Sequence, residues 1–169
     1  MEHIDNIQDL GQKTILITGG CGFIGTNLTK YLADSGYQLR ILDNLSVGNE
    51  ANLREFQSQD SRLLNIKLII GDIRDRDVVS QAVKGTDAVV HLAARSGVKD
   101  SLENPVETYD INVIGTLNLL EACRQNGAAK FIFASSNAVV GEQSPPIDEL
   151  KIPQPLSPYG AAKLAEAAR

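Results

Sequence analysis

The feature that most constrains this chain is a buried strand that runs directly into a glycine turn. The apolar run 14–18 is followed by the glycine-rich residues 19–25, and apolar residues at helical spacing come next. Gly20, Gly22 and Gly25 fit a pattern in which the glycines turn the chain, admit a pyrophosphate and let the helix pack on its strand. Gly19, Gly22 and Gly25 fit a wider spacing, which predicts a looser turn. In both cases the helix N-terminus would face phosphate groups.

The residues after the turn support a dinucleotide site. Gly36 is placed to end the helix, and a second apolar run, 38–42, ends on Asp43. In dinucleotide-binding folds an acid about 20 residues beyond the glycines accepts the ribose hydroxyls. A glycine turn that only packs a helix on a sheet would not explain Asp43. We expect NAD rather than NADP, because a 2′-phosphate would face this charge and Arg40 should point to the opposite face of the strand.

Strands and helices alternate along the rest of the chain. Further strands are predicted at 66–70, 88–92 and 130–134, and a loop is predicted at 93–103. Helices are predicted around Leu53 and Phe56, and over about 75–85, 104–125 and 157–169. Short connections and apolar strands predict a parallel sheet that is buried on both faces. The predicted fold is therefore α/β, a doubly wound (Rossmann) sheet with five strands in order 3-2-1-4-5.

Length and charge limit the classes of function. The 169 residues suit one domain, with a polar tail at 1–13 and a dinucleotide-binding domain at 14–169. Because the chain stops at Arg169, about eleven residues into its last predicted helix, we expect a truncated domain whose C-terminal substrate region is absent. A net charge of −5 without a basic cluster argues against nucleic acid. The absence of a leader or a long apolar run predicts a cytoplasmic protein that does not enter membranes.

The two cysteines and two histidines predict neither a disulfide framework nor a metal site. Cys21 stands at a helix N-terminus, where a thiolate would be favoured. A small filler beside the glycines is the preferred interpretation.

Ligands of an open parallel sheet bind outside the carboxyl ends of its strands. Asp72 could accept a hydrogen bond from an adenine amino group, and Ile73 could cover the ring. Small residues at Ala93 and Ala94 would let a cofactor lie close to the backbone. The residues predicted at this edge are Gly19, Gly22, Phe23, Ile24, Gly25, Asp43, Asn44, Asp72, Ile73, Leu92, Ala93, Ala94, Ser135 and Ser136.

Tyr159 and Lys163 are four residues apart and therefore share one face of the last helix. An ammonium beside a phenol favours the phenolate, which would let tyrosine act as a base near neutral pH. An alternative is an aromatic ring and an alkyl stem stacked on a helix surface. The serine after the fifth strand and the dinucleotide motif favour the catalytic interpretation.

These motifs together resemble the N-terminal part of the extended short-chain dehydrogenase/reductase family, the NAD-dependent nucleotide-sugar epimerases and dehydratases. The resemblance covers about residues 13–169. It rests on residues 18–25, 43–45, 71–73 and 91–94, on Asn112 with Gly115 and Thr116, on Ser135 with Ser136, and on residues 159–163.

The resemblance implies a role for each residue of the predicted catalytic group. Ser136 would orient and polarise a sugar hydroxyl, and Tyr159 would take its proton. Lys163 would hold the ribose hydroxyls and tune Tyr159, while Asn112 would brace the site around Lys163. Ser135 and Asn112 would also belong to the cofactor site. Hydride would pass to NAD and give a 4-keto sugar.

The residues after Ser136 favour epimerisation of that keto sugar. Dehydratases of this family carry an Asp-Glu pair or a single Glu at this point, whereas this chain has Asn137 and Ala138. Residues 43–48 also resemble the 4-epimerases, although Val140 stands where relatives usually have tyrosine. The resemblance thus implies a UDP-hexose 4-epimerase with a nucleotide-sugar substrate and a homodimeric full-length protein. The alternatives are a dehydratase, decarboxylase or reductase of the same family, or an NAD-binding module without turnover.

Overall fold

A five-stranded parallel sheet forms the centre of the fold. The structure is a computed structural model that describes residues 13–57 and 65–167. The strand order, β3-β2-β1-β4-β5, confirms the predicted topology, and every neighbouring pair is parallel. The strands are β1 Thr14–Thr18, β2 Gln38–Asp43, β3 Ile66–Ile70, β4 Ala88–His91 and β5 Lys130–Phe133.

Seven α-helices are present in the described part of the chain. They are α1 Phe23–Asp34, α2 Ala51–Gln57, α3 Arg76–Val83, α4 Val98–Glu103, α5 Pro105–Tyr109, α6 Gly115–Asn126 and α7 Pro158–Ala167. A π-helical turn, Asp110–Ile114, joins α5 to α6, and a 3-10 turn, Asn137–Val139, follows β5. The side chain of Asp75 caps α3 by accepting from the backbone N–H groups of Asp77 and Val78, and that of Ser157 caps α7 by accepting from Gly160. The side chain of Asn104, which the sequence also suggests as a cap, makes no such bond at the start of α5.

The core lies on both faces of the sheet because successive residues of each strand point to opposite sides. On one face, Leu16 and Leu42 pack with residues of α3 and α6. On the other face, Ile17 and Ile41 pack with residues of α1 and α2, including Leu53. This double cover explains the mostly apolar sequences of the central strands β1 and β4, whereas the edge strands β3 and β5 are only partly buried.

The prediction of a loop at 93–103 is wrong over its second half, where Val98–Glu103 forms α4. Ser101 is the only buried residue of this short helix, so its sequence lacks the apolar periodicity that predicts a helix. The long helix predicted at 104–125 is divided into α5, the π-helical turn and α6. The predicted fourth and fifth strands each end one residue early, at His91 and Phe133.

The apolar stripe of the long helix does not face the core. Val106, Tyr109, Leu117 and Leu120 are exposed, and Val106 retains 81% of its accessible surface. The buried side instead carries Leu119 among small and polar residues such as Gly115, Thr116 and Asn118. A methyl group added at Gly115 would lie 2.5 Å from Cδ1 of Ile73, so a glycine here lets the start of α6 approach the loop after β3.

Apart from Lys13, the predicted tail at 1–13 lies outside the described residues, and so does Arg169. None of the helices within 13–57 and 65–167 has the length and apolar character needed to span a membrane.

Candidate functional site

A cleft of about 600 Å³ lies at the carboxyl edge of the sheet. Nine of the residues that the sequence assigns to the cofactor line it together: Gly19, Gly22, Asp43, Asn44, Asp72, Ile73, Leu92, Ala93 and Ala94. Arg74, Arg95, Asp100 and Glu107 also line the cleft and were not predicted. The edge of the sheet thus collects residues from four separate strand ends.

The glycine loop is built from close backbone contacts. Gly19 adopts a φ of 70°, and a methyl group there would lie 2.7 Å from the backbone nitrogen of Ala93. A methyl group at Gly25 would lie 2.3 Å from the carbonyl oxygen of Gly19. The wider of the two predicted spacings therefore identifies glycines that the backbone requires. Helix α1 begins directly after Gly22, with no acidic residue in its first turn.

Asp43 is joined to the glycine loop. Its Oδ2 accepts a hydrogen bond of 2.9 Å from the backbone N–H of Cys21, and its Oδ1 accepts one of 2.8 Å from Leu45. A carboxylate has about four acceptor positions, so about two remain for a ligand. Leu45 has a φ of 57°, a left-handed conformation that is uncommon for residues other than glycine.

Arg40 is committed to another part of the fold, as its predicted orientation requires. Its guanidinium donates to the backbone carbonyl groups of Ala82 at 2.5 Å and Lys84 at 2.8 Å, at the end of α3. Arg40 and Asp43 therefore point to opposite faces of β2.

Asp72 is already satisfied by side chains of the chain itself. Its two oxygens accept from the backbone and the guanidinium of Arg74 and from Nδ2 of Asn44. Arg74 also pairs with Asp110 at 3.2 Å. Hydrogen bonds from Arg74 hold the pKa of Asp72 well below its usual range. For Asp72 to accept from an adenine amino group, one of these four bonds must give way.

The other predicted cofactor residues differ in their exposure. Ile73 is 5% exposed, and its side chain packs into the core beside Gly115, which leaves little of it to cover a ring. Phe23 and Ile24 are exposed at the start of α1. Gly25 contacts the backbone of the glycine loop and lets α1 pack directly against it.

Asn112 is bound directly to the backbone of Arg95. Its Oδ1 accepts from the backbone N–H of Arg95 at 2.8 Å, and its Nδ2 donates to the Arg95 carbonyl at 3.1 Å. The buried amide thus fixes the segment after β4. Its connection to Lys163 is indirect, through its own carbonyl, Thr116 and Glu166.

The three predicted catalytic residues lie on two segments that pack together. Ser136 caps the 3-10 turn by accepting from the backbone N–H of Ala138 at 3.2 Å, and Ser135 beside it is exposed. Tyr159 is half-buried in the first turn of α7. A methyl group at Gly160 would lie 2.4 Å from the Ala138 carbonyl oxygen, so these segments are in close contact.

Lys163 is 3% exposed, and its ammonium lies inside the fold. It donates a hydrogen bond of 3.0 Å to Oε2 of Glu166 and lies 4.6 Å from the centre of the Phe133 ring. Sequence reasoning missed Glu166 as a partner, although it follows Lys163 by three residues on the same helix. The three-residue spacing on a helix was the available signal.

A family model described as GDP-mannose 4,6 dehydratase matches residues 16–168 of the chain. The chain belongs to this family. That confirms the resemblance to NAD-dependent nucleotide-sugar epimerases and dehydratases.

Known relatives match most of the chain. A putative UDP-glucose 4-epimerase of Methanocaldococcus jannaschii is 42% identical over 152 residues, which cover 88% of this chain and 47% of that protein. The UDP-glucose 4-epimerase of Brucella ovis was solved in complex with NAD. It is 36% identical to this chain with a TM-score of 0.80, and the match covers 91% of this chain and 45% of that protein.

A third relative is the UDP-N-acetylglucosamine 4-epimerase of Methanobrevibacter ruminantium, solved with UDP-N-acetylmuramic acid. It is 36% identical with a TM-score of 0.83, and 92% of this chain covers 48% of it. The chain therefore spans about half the length of the relatives that it matches.

Proposed function

We propose that this chain binds NAD in the cleft and forms the dinucleotide-binding half of a UDP-hexose 4-epimerase. The observation that carries the proposal is the hydrogen bond between Asp43 and the backbone of Cys21. This bond joins Asp43, which would accept hydrogen bonds from the ribose hydroxyls, directly to the glycine loop, which would bind the phosphates. The NAD and the UDP-sugar named for the solved and curated relatives support the same assignment.

The residues present fit a dinucleotide. Gly19 and Gly22 line the cleft without side chains, and any side chain at Gly19 would collide with the backbone of Ala93. Asp43 keeps about two acceptor positions for ribose hydroxyls. The volume of about 600 Å³ lies within the range of about 300–1,000 Å³ that is usual for small-molecule sites.

The charges around the cleft favour NAD over NADP. A 2′-phosphate beside Asp43 would need a nearby cation. Arg40 is held at the end of α3, and Arg74 is paired with Asp72 and Asp110.

When bound, NAD would accept a hydride from the sugar and return it. This chain would supply the proton chemistry and the positioning. Tyr159 would take the proton of the sugar hydroxyl. Ser136 would hold that hydroxyl, because its oxygen accepts from Ala138 and leaves its own proton free to donate. Lys163 would place a positive charge on the same face of α7 as Tyr159.

The segment after β5 favours epimerisation over loss of water. Dehydration of a keto sugar needs a group that protonates the departing hydroxyl. The two residues that follow Ser136 are Asn137 and Ala138, and neither can act as an acid. The name of the matching family keeps dehydration as the second candidate.

Half of the substrate cleft would come from a region that the relatives have beyond the matched residues. Positioning can account for about 7–11 kcal/mol of a barrier. We therefore expect the 169-residue chain to bind NAD, with its adenosine half held better than its nicotinamide half, and to lack measurable turnover. A homodimer would form in the longer protein, and the exposed stripe of Val106, Tyr109, Leu117 and Leu120 offers apolar surface for it.

The test joins this chain to the C-terminal half of the Methanocaldococcus jannaschii relative. The chimera and the chain alone are incubated with NAD and with UDP-glucose or UDP-N-acetylglucosamine, and the products are separated. The proposal predicts the 4-epimer from the chimera and no conversion by the chain alone. A dehydrated product would favour the second candidate, and conversion by the chain alone would show that its site is complete.

A further inference from the structure

Buried polar side chains connect the start of the glycine loop to Lys163. Oγ1 of Thr18 lies 2.7 Å from Nδ1 of His91, and Nε2 of His91 lies 2.8 Å from Oγ1 of Thr116. That oxygen lies 3.3 Å from Oε2 of Glu166, which accepts from Lys163 at 3.0 Å. All five residues are buried, although they come from four different elements. Polar groups at this depth are stable only when they are paired.

The arrangement indicates where the proton of His91 lies. Oγ1 of Thr116 donates its one proton to the backbone carbonyl of Asn112, so Nε2 of His91 must donate to Thr116, and Nδ1 accepts from Oγ1 of Thr18. The ring proton then lies on Nε2 and faces Thr116. Burial, followed by the charge of Lys163, lowers the pKa of His91 to about 3. The ring is therefore neutral near pH 7 and adds no charge beside Lys163.

The series of contacts ends in a buried ion pair. The side chains of Lys163 and Glu166 are 4% and 0% exposed. Burial raises the pKa of Glu166, and the ammonium of Lys163 opposes this effect. Among the described residues, Lys163 is the one charged group that shifts the pKa of either Glu166 or His91. An ammonium at this depth is costly without a nearby negative charge.

We propose that Glu166 is a positioning residue for Lys163, which keeps the buried lysine protonated and fixes the direction of its ammonium. The inference rests on the proposed role of Lys163 beside Tyr159. Oε1 of Glu166 has no partner within the described residues, so Oε2 alone holds the ammonium. This bond uses one of the three N–H donors of Lys163, and the proposed role would use the other two for a ribose hydroxyl and for Tyr159.

The groups that face Lys163 explain why Glu166 decides its charge. On α7 this group is Glu166, while β4 contributes the neutral His91 and β5 contributes the ring of Phe133. The ring attracts a cation only weakly compared with a carboxylate. Removal of the Glu166 charge would leave the desolvated ammonium without a counter-ion, which favours loss of its proton.

The test follows the proton of Lys163 in the ligand-free chain by NMR of ¹³Cε-labelled lysine, from neutral to alkaline pH. Lys163→Met identifies the resonance by its absence. In Glu166→Gln we expect Lys163 to lose its proton at a pH lower by about one unit or more than in the wild type. Glu166→Asp keeps the negative charge, so the titration of Lys163 in this variant should be close to that in the wild type. Glu121→Gln, which removes an exposed ion-paired carboxylate on α6, should change nothing.

An unchanged titration in Glu166→Gln would overturn the proposal. A measurement on the wild type covers the case in which this variant does not fold: a buried, paired ammonium exchanges its protons slowly and should give its own NH₃⁺ resonance at neutral pH. The absence of that resonance would also overturn the proposal. Neither measurement needs NAD or a sugar, so a negative result here leaves the proposed function intact, and failure to bind NAD leaves this proposal intact.

Discussion

The backbone N–H of Cys21 donates a hydrogen bond of 2.9 Å to Oδ2 of Asp43. The bond is possible because β1 and β2 are parallel neighbours, so that their carboxyl ends lie side by side. Leu45 holds the second oxygen of Asp43 at 2.8 Å. The carboxylate is thus fixed by both of its neighbours before a ligand arrives, and such preorganisation lowers the entropic cost of binding.

Replacement of Gly25 tests whether the loop must pack directly on α1. In Gly25→Ala the methyl group would meet backbone atoms of Gly19 and Gly20, at 2.3 and 2.5 Å. Backbone atoms cannot rotate away, so we predict a loss of about 1–3 kcal/mol in the free energy of unfolding. We also expect NAD binding to weaken by about tenfold or more, which corresponds to about 1.4 kcal/mol.

Gly36→Ala is the matched control for Gly25→Ala. Its φ of +88° makes alanine unfavourable by about 1–2 kcal/mol, but no atom lies within 4 Å of the added methyl group. Stability should therefore fall without a change in NAD affinity. Denaturant unfolding and calorimetric titration measure both quantities. Equal NAD affinities in the two variants would contradict the assigned role of the loop.

The ion pair between Asp72 and Arg74 predicts a loss of stability in acid. Because the pKa of Asp72 is lower in the folded chain than its usual value, the pair stabilises the fold above the unfolded pKa, and this contribution is lost as pH falls toward the folded pKa. The free energy of unfolding should therefore decline below about pH 4. The free energies of unfolding of Asp72→Asn and the wild type should therefore become more similar as the pH falls below about 4.

The control for this experiment is Asp34→Asn, which changes an exposed carboxylate at the end of α1. Because the side chain of Asp34 is exposed, its replacement should not reproduce the effect of Asp72→Asn. Urea unfolding of the three proteins at neutral and acidic pH gives the comparison. If Asp72→Asn and the wild type lost stability in parallel below about pH 4, the ion pair would not be the cause.

Both cysteine thiols should be inert in the native chain. Burial, followed by the charges of Asp43 and Glu50, raises the pKa of Cys21 to about 12, and burial raises that of Cys123 to about 11. Thiolates react and thiols do not. We predict no reaction with a disulfide reagent at neutral pH and reaction of both thiols after unfolding. Rapid modification of native Cys21 would restore the alternative of a thiolate at the N-terminus of α1.

Tyr159→Phe separates proton transfer from cofactor binding in the chimera described above. The change removes the proposed base and keeps the ring. We predict an unchanged affinity for NAD and a turnover lower by about 10²–10⁴-fold, the usual contribution of a general base. Tyr31→Phe alters an exposed tyrosine on α1 and should leave both quantities unchanged. Retention of most activity in Tyr159→Phe would refute the assigned mechanism.

Local patterns predict this fold well because each strand is a mostly apolar run bounded by turn residues. Gly36 and Gly127 adopt the positive φ values of 88° and 73° that helix ends favour. Helix α4 was missed because Ser101 is its only buried residue. The long helix was predicted over 104–125, but its exposed apolar residues do not mark its buried side, where Gly115 packs directly against Ile73.

The candidate site was predictable where it depends on strand ends, and less so where it depends on pairing. Asp43 and the glycines follow from position along the chain. Arg74 donates hydrogen bonds to both oxygens of Asp72, the carboxylate that the sequence assigns to the adenine amino group. The contact between Thr116 and Glu166 joins residues 50 positions apart, which local spacing does not show.

Calorimetric titration of the chain with NAD and with NADP tests directly whether the cleft beside Asp43 is an NAD site. Asp43→Ala is the test variant, and Asp34→Ala, at an exposed position, is the control. The account predicts tighter binding of NAD than of NADP in the wild type and in the control. Asp43→Ala should bind NAD more weakly than the wild type does, and its affinities for NAD and NADP should differ less. Tighter binding of NADP, or an unchanged preference in Asp43→Ala, would contradict the account.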